Sequence, residues 1–315
     1  MKDSNIFIPN QPLNTAVLFL VFNRLDTTKQ VFDAIQKAKP PRLYIAADGA
    51  RKTKEGEEQK VELVRDFILS NIDWECEVKT LFQQQNLGCK IAVSTAIDWF
   101  FSNEEMGIIL EDDCLPNSDF FRFCEEQLVR YKEDQRIGHI CGCNFQGNLR
   151  RGESDYYYSK ITHVWGWASW RRVWKYYDVD MKDFELARDM DYLSALTENK
   201  KLKKSFYDLL RKTFKGQIDT WDYQYFHSNL MNGFLSIIPN NNMISNIGFS
   251  SEATHTIDVD NPVANIKHEP LPLKLNHPPF FVANREADMF TLLNQKMSFC
   301  EKVWSIVKNK LKINK

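Results

Sequence analysis

Residues 107–121 read GIILEDDCLPNSDFF, an apolar run that stops in three adjacent carboxylates. Side by side, Glu111, Asp112 and Asp113 each raise the cost of ionising the others. Either the three sit in a solvated turn, or something positive is meant to lie among them. The same unit recurs upstream. AVLFLVF (16–22) runs into Asn-Arg-Leu-Asp, then into a helical pattern with Val31, Ile35 and Ala38 on one face, stopped by Pro40-Pro41. RLYIAAD (42–48) is a second strand, and Glu57–Ile72 a second helix through Val61, Val64 and Ile68. CEVKTLF (76–82) alternates less cleanly, Gly88–Phe101 reads as a helix, and GIIL (107–110) as a buried strand. Strand–helix repetition with apolar strands predicts an α/β fold with a mostly parallel central sheet flanked by helices. Ligands of such sheets lie beyond the carboxyl ends of the strands. The polar residues there are Asn23-Arg24, Asp48-Gly49 and Glu111-Asp112-Asp113, and one crevice should collect all three.

Further along, IGHICGCN (137–144) adds another strand. The pattern then loosens into aromatic and charged segments, with helical stretches near 183–215 and 221–233. The organisation expected is a lead-in over 1–14, a catalytic domain over 15–258 and an extension over 259–315. That extension ends in a run with Met297, Val303, Trp304, Val307 and Leu311 among lysines. It reads equally as a basic amphipathic helix lying on an anionic membrane or as a terminal helix docked on its own domain.

The totals are those of a soluble globular chain: 315 residues, 43% hydrophobic, 26% charged, formal net charge −1. That balance argues against nucleic acid as a partner. Seven cysteines lack CxxC spacing, so a zinc site is not expected and reduced thiols are. No signal-peptide pattern opens the chain, and no apolar run approaches about twenty residues. The location these features imply is cytoplasmic, peripheral at the inner face of the membrane only if the C-terminal helix lies on it rather than on its own domain.

A hard divalent cation takes carboxylate oxygens together with substrate phosphates. On an extended backbone Glu111 and Asp113 would point one way and Asp112 the other. One short stretch would then serve a metal, a sugar and a ribose at once. Two literal D-x-D strings compete with it. Asp178-Val-Asp180 looks like a helix-capping loop, and Asp258-Val-Asp260 runs into an Asn-Pro turn. Neither ends an apolar strand.

The blocks VFNRLDTTKQVFDAI, ADGARKTKEGE, QQNLGCKIAVSTAIDWFF and GIILEDDCLPNSDFFRFCEEQL together resemble those of a GT-A nucleotide-sugar glycosyltransferase. The nearest likeness is to the inverting N-acetylglucosaminyltransferase I type and similar bacterial proteins. It continues through HVWGWASWRRVW (163–174), TWDYQ (220–224) and IGFSSEATHT (247–256). The resemblance implies a GT-A (Rossmann-like) nucleotide-diphospho-sugar transferase fold. It implies a metal-dependent inverting transfer from a UDP-sugar to a glycan or lipid-linked hydroxyl acceptor, with Mn²⁺ or Mg²⁺ as cofactor, in surface polysaccharide synthesis.

Residue by residue, the resemblance gives the metal to Asp113, the ribose to Asp112 and the transferred sugar to Glu111. Arg24 would reach the diphosphate, Asp48 the uracil, and Asp222 would be the base that takes the acceptor proton. Trp221, beside it, falls on the donor side. Asp219 is the rival base, with capping as its plain role. Lys90 opens a helix at a place suited to an anion, although an ordinary solvated lysine fits as well. His255 falls where such enzymes carry a late histidine near metal or diphosphate. Of the tryptophans crowding 165–174, Trp167 is the acceptor-side candidate, against a core role for the cluster. A sugar nucleotidyltransferase is the sister reading, but NRLDTT lacks the glycines of that class's phosphate loop. The non-enzyme reading is a catalytically inactive module that binds nucleotide or glycan.

Overall fold

The computed structural model describes residues 13–147, 149–249 and 266–293. In chain order the elements are β1 (Val17–Val21), α1 (Leu25–Ala38), β2 (Arg42–Ala47), α2 (Glu57–Ser70), β3 (Glu77–Phe82) and α3 (Gly88–Asn103). There follow β4 (Met106–Glu111), β5 (Cys114–Pro116), α4 (Ser118–Arg130), β6 (Ile137–Cys141), β7 (Tyr156–Ser159), β8 (Trp167–Trp170) and α5 (Arg171–Trp174). The chain continues through α6 (Phe184–Asp189), a 3₁₀ turn (Tyr192–Ala195), α7 (Lys200–Phe214), α8 (Asp222–Met231), β9 (Leu235–Pro239) and β10 (Ile244–Asn246).

Every residue of β1 is buried, as a central strand covered on both faces requires. Its side chains alternate between two cores. Val17, Phe19 and Val21 meet residues of α1, α2 and α4, while Leu18 and Leu20 meet Ile97 and Phe100 of α3. Burying an aliphatic or aromatic side chain of this kind stabilises by about 2 kcal/mol. A third core lies between α6, α7 and the outer face of α8. The weak alternation of β3 has a simple cause: it is an edge strand, and it shows Glu77 and Lys79 to solvent.

The main sheet has the order β3-β2-β1-β4-β8-β6-β9-β7. β1, β2, β3 and β4 are mutually parallel, and β6 runs parallel to β9. β8 is antiparallel to both β4 and β6. The expected α/β architecture is thus present, with one antiparallel strand wedged between its parallel parts. The chain moves outward from β1 to β3, then returns to lay β4 on the other side of β1. That reversal is the topological switch point where open α/β sheets bind ligands.

One local expectation changes and two gain detail. The 183–215 stretch is not one helix: Asp191 takes a left-handed φ of 50°, and α7 restarts where Asn199 caps the N–H groups of Lys201 and Leu202. The acidic triplet is not extended, because β4 ends at Glu111 and Asp112-Asp113 form a turn before β5. The alternation argument for their side chains therefore fails. The part of the extension from 266 to 293 is strapped to the body. Asn284 N–H donates to the Tyr158 carbonyl (2.7 Å), Asn276 N–H to the Asp155 carboxylate (2.7 Å), and Leu271 and Leu275 enter the core. The basic run after residue 293 lies outside the described residues, and among those described no helix is long and apolar enough to cross a membrane. All six cysteines described are free thiols.

Candidate active site at the switch point

Arg24 follows β1 and occupies the N-cap position of α1, where the Thr28 hydroxyl and N–H both donate to its carbonyl. From there its guanidinium crosses the switch point. Nη2 donates to Asp113 Oδ2 (3.0 Å) and to Asp112 Oδ1. The positive group among the acids is therefore supplied by the chain itself. Burial works against the charge on Arg24, but Asp112 and Asp113 outweigh it and raise the pKa above the ordinary arginine value. Burial pushes the Asp112 carboxyl up to about 6 even with Arg24 beside it. Glu111 is pushed well above the usual carboxylate range by burial, then by Asp113, Asp112 and Asp222. One cation does not neutralise three carboxylates, and the cost appears in the proton affinity of Glu111 and Asp112.

Gly248 closes over this pair. A Cβ built on it would lie 2.3 Å from Asp113 Oδ2 and 2.7 Å from Arg24 Nη1, so only glycine fits. The Ile247 N–H holds the Asp113 carbonyl (2.8 Å). Phe249 carries the surface on to Trp165, whose ring meets it edge-on at 5.8 Å and Phe145 at 5.0 Å.

Among the described residues no group of three or more His, Cys, Asp or Glu side chains is arranged to hold a metal. Asp113 is 20% exposed, and one oxygen of buried Asp112, Oδ2, has no hydrogen-bond partner. One or two carboxylate oxygens beside an arginine suit a hard cation that shares the remainder of its shell with phosphates and water. The residues present fit Mn²⁺ or Mg²⁺ in that shared sense. His255 lies outside the described residues.

Asp222 opens α8, where its Oδ1 accepts the Tyr223 N–H (2.9 Å) and the Thr220 hydroxyl. It is near enough to raise the proton affinity of Glu111 and of Cys89. Three residues earlier Asp219 is bonded to the start of α3, so Asp222 stands at the same end of the sheet as the acidic turn. Asp219 lies before α8 rather than on its face, and its carboxylate accepts the N–H groups of Cys89 (3.1 Å) and Lys90 (3.0 Å). It caps a helix, though α3 and not its own.

Several expectations need correction. Trp167 is fully buried in β8 and stacks on Trp221 (5.7 Å) and His139 (5.4 Å). It cannot face an acceptor. Trp221 is 2% exposed in the same aromatic cluster, so its ring is no donor contact either. The half-buried tryptophan against Phe249 is Trp165. Lys90 does open α3, but Asp48 and Asp219 already occupy that helix's N-terminal donors. The Asp48 carboxylate accepts four hydrogen bonds, from the N–H groups of Gly49, Leu87 and Gly88 and from Asn86 Nδ2. Four acceptor places are thereby filled, and none is left to read a base in this conformation. Asp178 does act as a turn cap, accepting the N–H groups of Asp180 and Lys182, whereas Asp258-Val-Asp260 lies outside the described residues.

Sequence reasoning also passed over Glu57 and Arg51. The Glu57 carboxylate binds Asn23 Nδ2 (2.9 Å), the Arg51 N–H (2.7 Å) and the Arg51 guanidinium, tying the loops after β1 and β2 together. The ADGARKTKEGE block held both residues, but nothing in its spacing announced that they meet.

No family model matches the chain, and no curated protein matches it. Among solved structures it is similar to HddC from Yersinia pseudotuberculosis, with 9% identity over 52% of this chain and 81% of that one and a TM-score of 0.33. It is also similar to a cytidylyltransferase from Leptospira borgpetersenii serovar Hardjo-bovis (12% identity, 51% and 63% covered, TM-score 0.31). A third is UDP-glucose pyrophosphorylase complexed with UDP-glucose (10%, 52% and 79%, TM-score 0.29). Two of these three bear the names of nucleotidyltransferases and none that of a glycosyltransferase. Scores this low carry no argument about activity.

Proposed function

We propose that the chain is a metal-dependent inverting glycosyltransferase that moves a sugar from a UDP-sugar to a hydroxyl on a glycan or lipid-linked acceptor. One observation carries the reading. The Arg24–Asp112–Asp113 bridge spans the switch point, and Asp222 opens α8 at the same end of the sheet, its loop bonded through Asp219 to the start of α3. A cationic and carboxylate cradle for a diphosphate thus faces a separate carboxylate suited to take a proton.

In this reading Asp113 would hold the cation, Arg24 would lie against the diphosphate, and Asp112 would meet the ribose through its unpartnered Oδ2. A bound Mn²⁺ or Mg²⁺ supplies positive charge that eases departure of the nucleoside diphosphate. Glu111 contacts the transferred sugar. Asp222, oriented by Thr220 and its own helix N–H, accepts the acceptor hydroxyl's proton, and Trp165 offers a ring to the acceptor. Replacing Asp113 with Ala should abolish the Mn²⁺ dependence of UDP binding, measured calorimetrically. Asp222→Asn should leave UDP affinity within about twofold and lower transfer at least about 100-fold. Transfer retained in Asp222→Asn would remove it as the base.

A second reading is a sugar nucleotidyltransferase, since an open α/β sheet with its ligand at the switch point serves that chemistry as well. Against it, the β1–α1 loop NRLDTT has no glycine to bring backbone against phosphates. Pyrophosphate release from UTP and a sugar 1-phosphate, without hydrolysis of UDP-sugars, would decide for it.

A further inference from the structure

The N-terminus of α3 has no capping side chain of its own, since Leu87 stands at the N-cap. Its first four N–H groups are nevertheless all satisfied, by two carboxylates from distant parts of the chain. Asp48, after β2, accepts from Leu87 (2.9 Å) and Gly88 (3.1 Å). Asp219, in the loop before α8, accepts from Cys89 (3.1 Å) and Lys90 (3.0 Å). These are the orphan donors of a helix start, shared out between the two sides of the crevice. Gly88 makes room for the arrangement: its φ is +79°, and a Cβ on it would meet Asp219 Oδ2 at 2.9 Å.

The run from Asp219 to Asp222 is held at each step. Asp219 is tied to α3, the Thr220 hydroxyl donates to Asp222, the Thr220 carbonyl accepts from Gln224 Nε2 (2.7 Å), and Trp221 is buried. We propose that Asp219 is a positioning residue: by clamping this loop to the start of α3 it sets where the Asp222 carboxylate stands relative to the acidic turn. The inference rests on the glycosyltransferase reading, in which Asp222 is the base. Asp219 touches no substrate in it. A base displaced by about 1 Å loses on the order of 100-fold in rate, which is the leverage such a clamp holds.

The test compares Asp219→Ala and Asp219→Asn with the unaltered chain, by hydrogen exchange and by steady-state kinetics with a hydrolysable UDP-sugar and its acceptor. Asp219→Ala should lose amide protection at Cys89 and Lys90 and across 220–224, and kcat should fall about 10- to 100-fold. The donor KM and the UDP affinity should stay within about twofold. Asp219→Asn, which keeps one acceptor oxygen, should recover part of both losses. Unchanged protection across 220–224 in Asp219→Ala overturns the clamp whether or not the chain turns over. Lost protection with undiminished kcat overturns the positioning role. An Asp219→Asn variant as inactive as Asp222→Asn, with normal UDP binding, also overturns it, because Asp219 would then be the base. If the unaltered chain transfers no sugar, the glycosyltransferase reading fails by itself and exchange still decides the clamp.

Discussion

Arg24 converts an electrostatic liability into a site. Three carboxylates in a row would repel, but a guanidinium that bridges two of them lets Asp113 remain partly exposed while Asp112 is buried. The residue that enforces this spacing has no side chain. Gly248→Ala would drive a methyl group into Asp113 and Arg24. The expected result is at least a tenfold loss of Mn²⁺-dependent UDP affinity by calorimetry, since an overpacked contact costs about 1–3 kcal/mol. The acidic turn itself was legible, because an apolar strand ending in acids is a local pattern. Gly248 was not, because its role comes from a tertiary approach 135 positions from Asp113 that no spacing encodes. Trp165 escaped for a related reason. Its neighbour Trp167 is interior only because β8 is paired on both sides, and a four-residue strand gives no periodicity to read.

At the scale of elements, the start of α3 shows why Asp48 was half understood. An aspartate at the end of a buried strand is a fair candidate for ligand binding, yet here it satisfies the turn that follows β3. Asp48→Ala would strand three backbone N–H groups in a half-buried turn. Urea unfolding should show a loss of about 2–3 kcal/mol, with Asp48→Asn intermediate. Strands and helices through β4 were readable in order, since each carries its own apolar period. Beyond residue 150 the strands are short and their partners remote: β7 pairs with β9, and β8 slips between β4 and β6. Pairing of that kind is decided by the assembled core rather than by local sequence.

Across the whole molecule, burial holds several histidines neutral. Burial pushes His139 down to about 3, and His163 and His227 to about 4. Unfolding returns each to about 6.5, so the unfolded chain binds more protons and stability falls as pH drops below that value. Each such histidine withdraws about 2 kcal/mol between pH 6.5 and 5. Glu126, pushed up to about 7 by burial, works in the opposite sense, because the folded chain takes up that proton first. His227 accepts or donates one hydrogen bond with the Tyr192 hydroxyl (2.9 Å), while Asp178 and Asp183 pull its affinity partly back. His227→Gln should therefore be less stable at pH 7.5 but lose about 2 kcal/mol less on acidification to pH 5, read from denaturant midpoints.

The strap over 266–293 has a consequence for how copies of this chain meet. A sheet edge is an unfinished row of donors and acceptors, open to any strand that arrives. On the β3 side charged side chains discourage such a visitor, and on the β7 side Ala283 and Asn284 already sit against Tyr158. At that second edge the chain's own strap already meets the ladder, and a second copy arriving there would have to displace it.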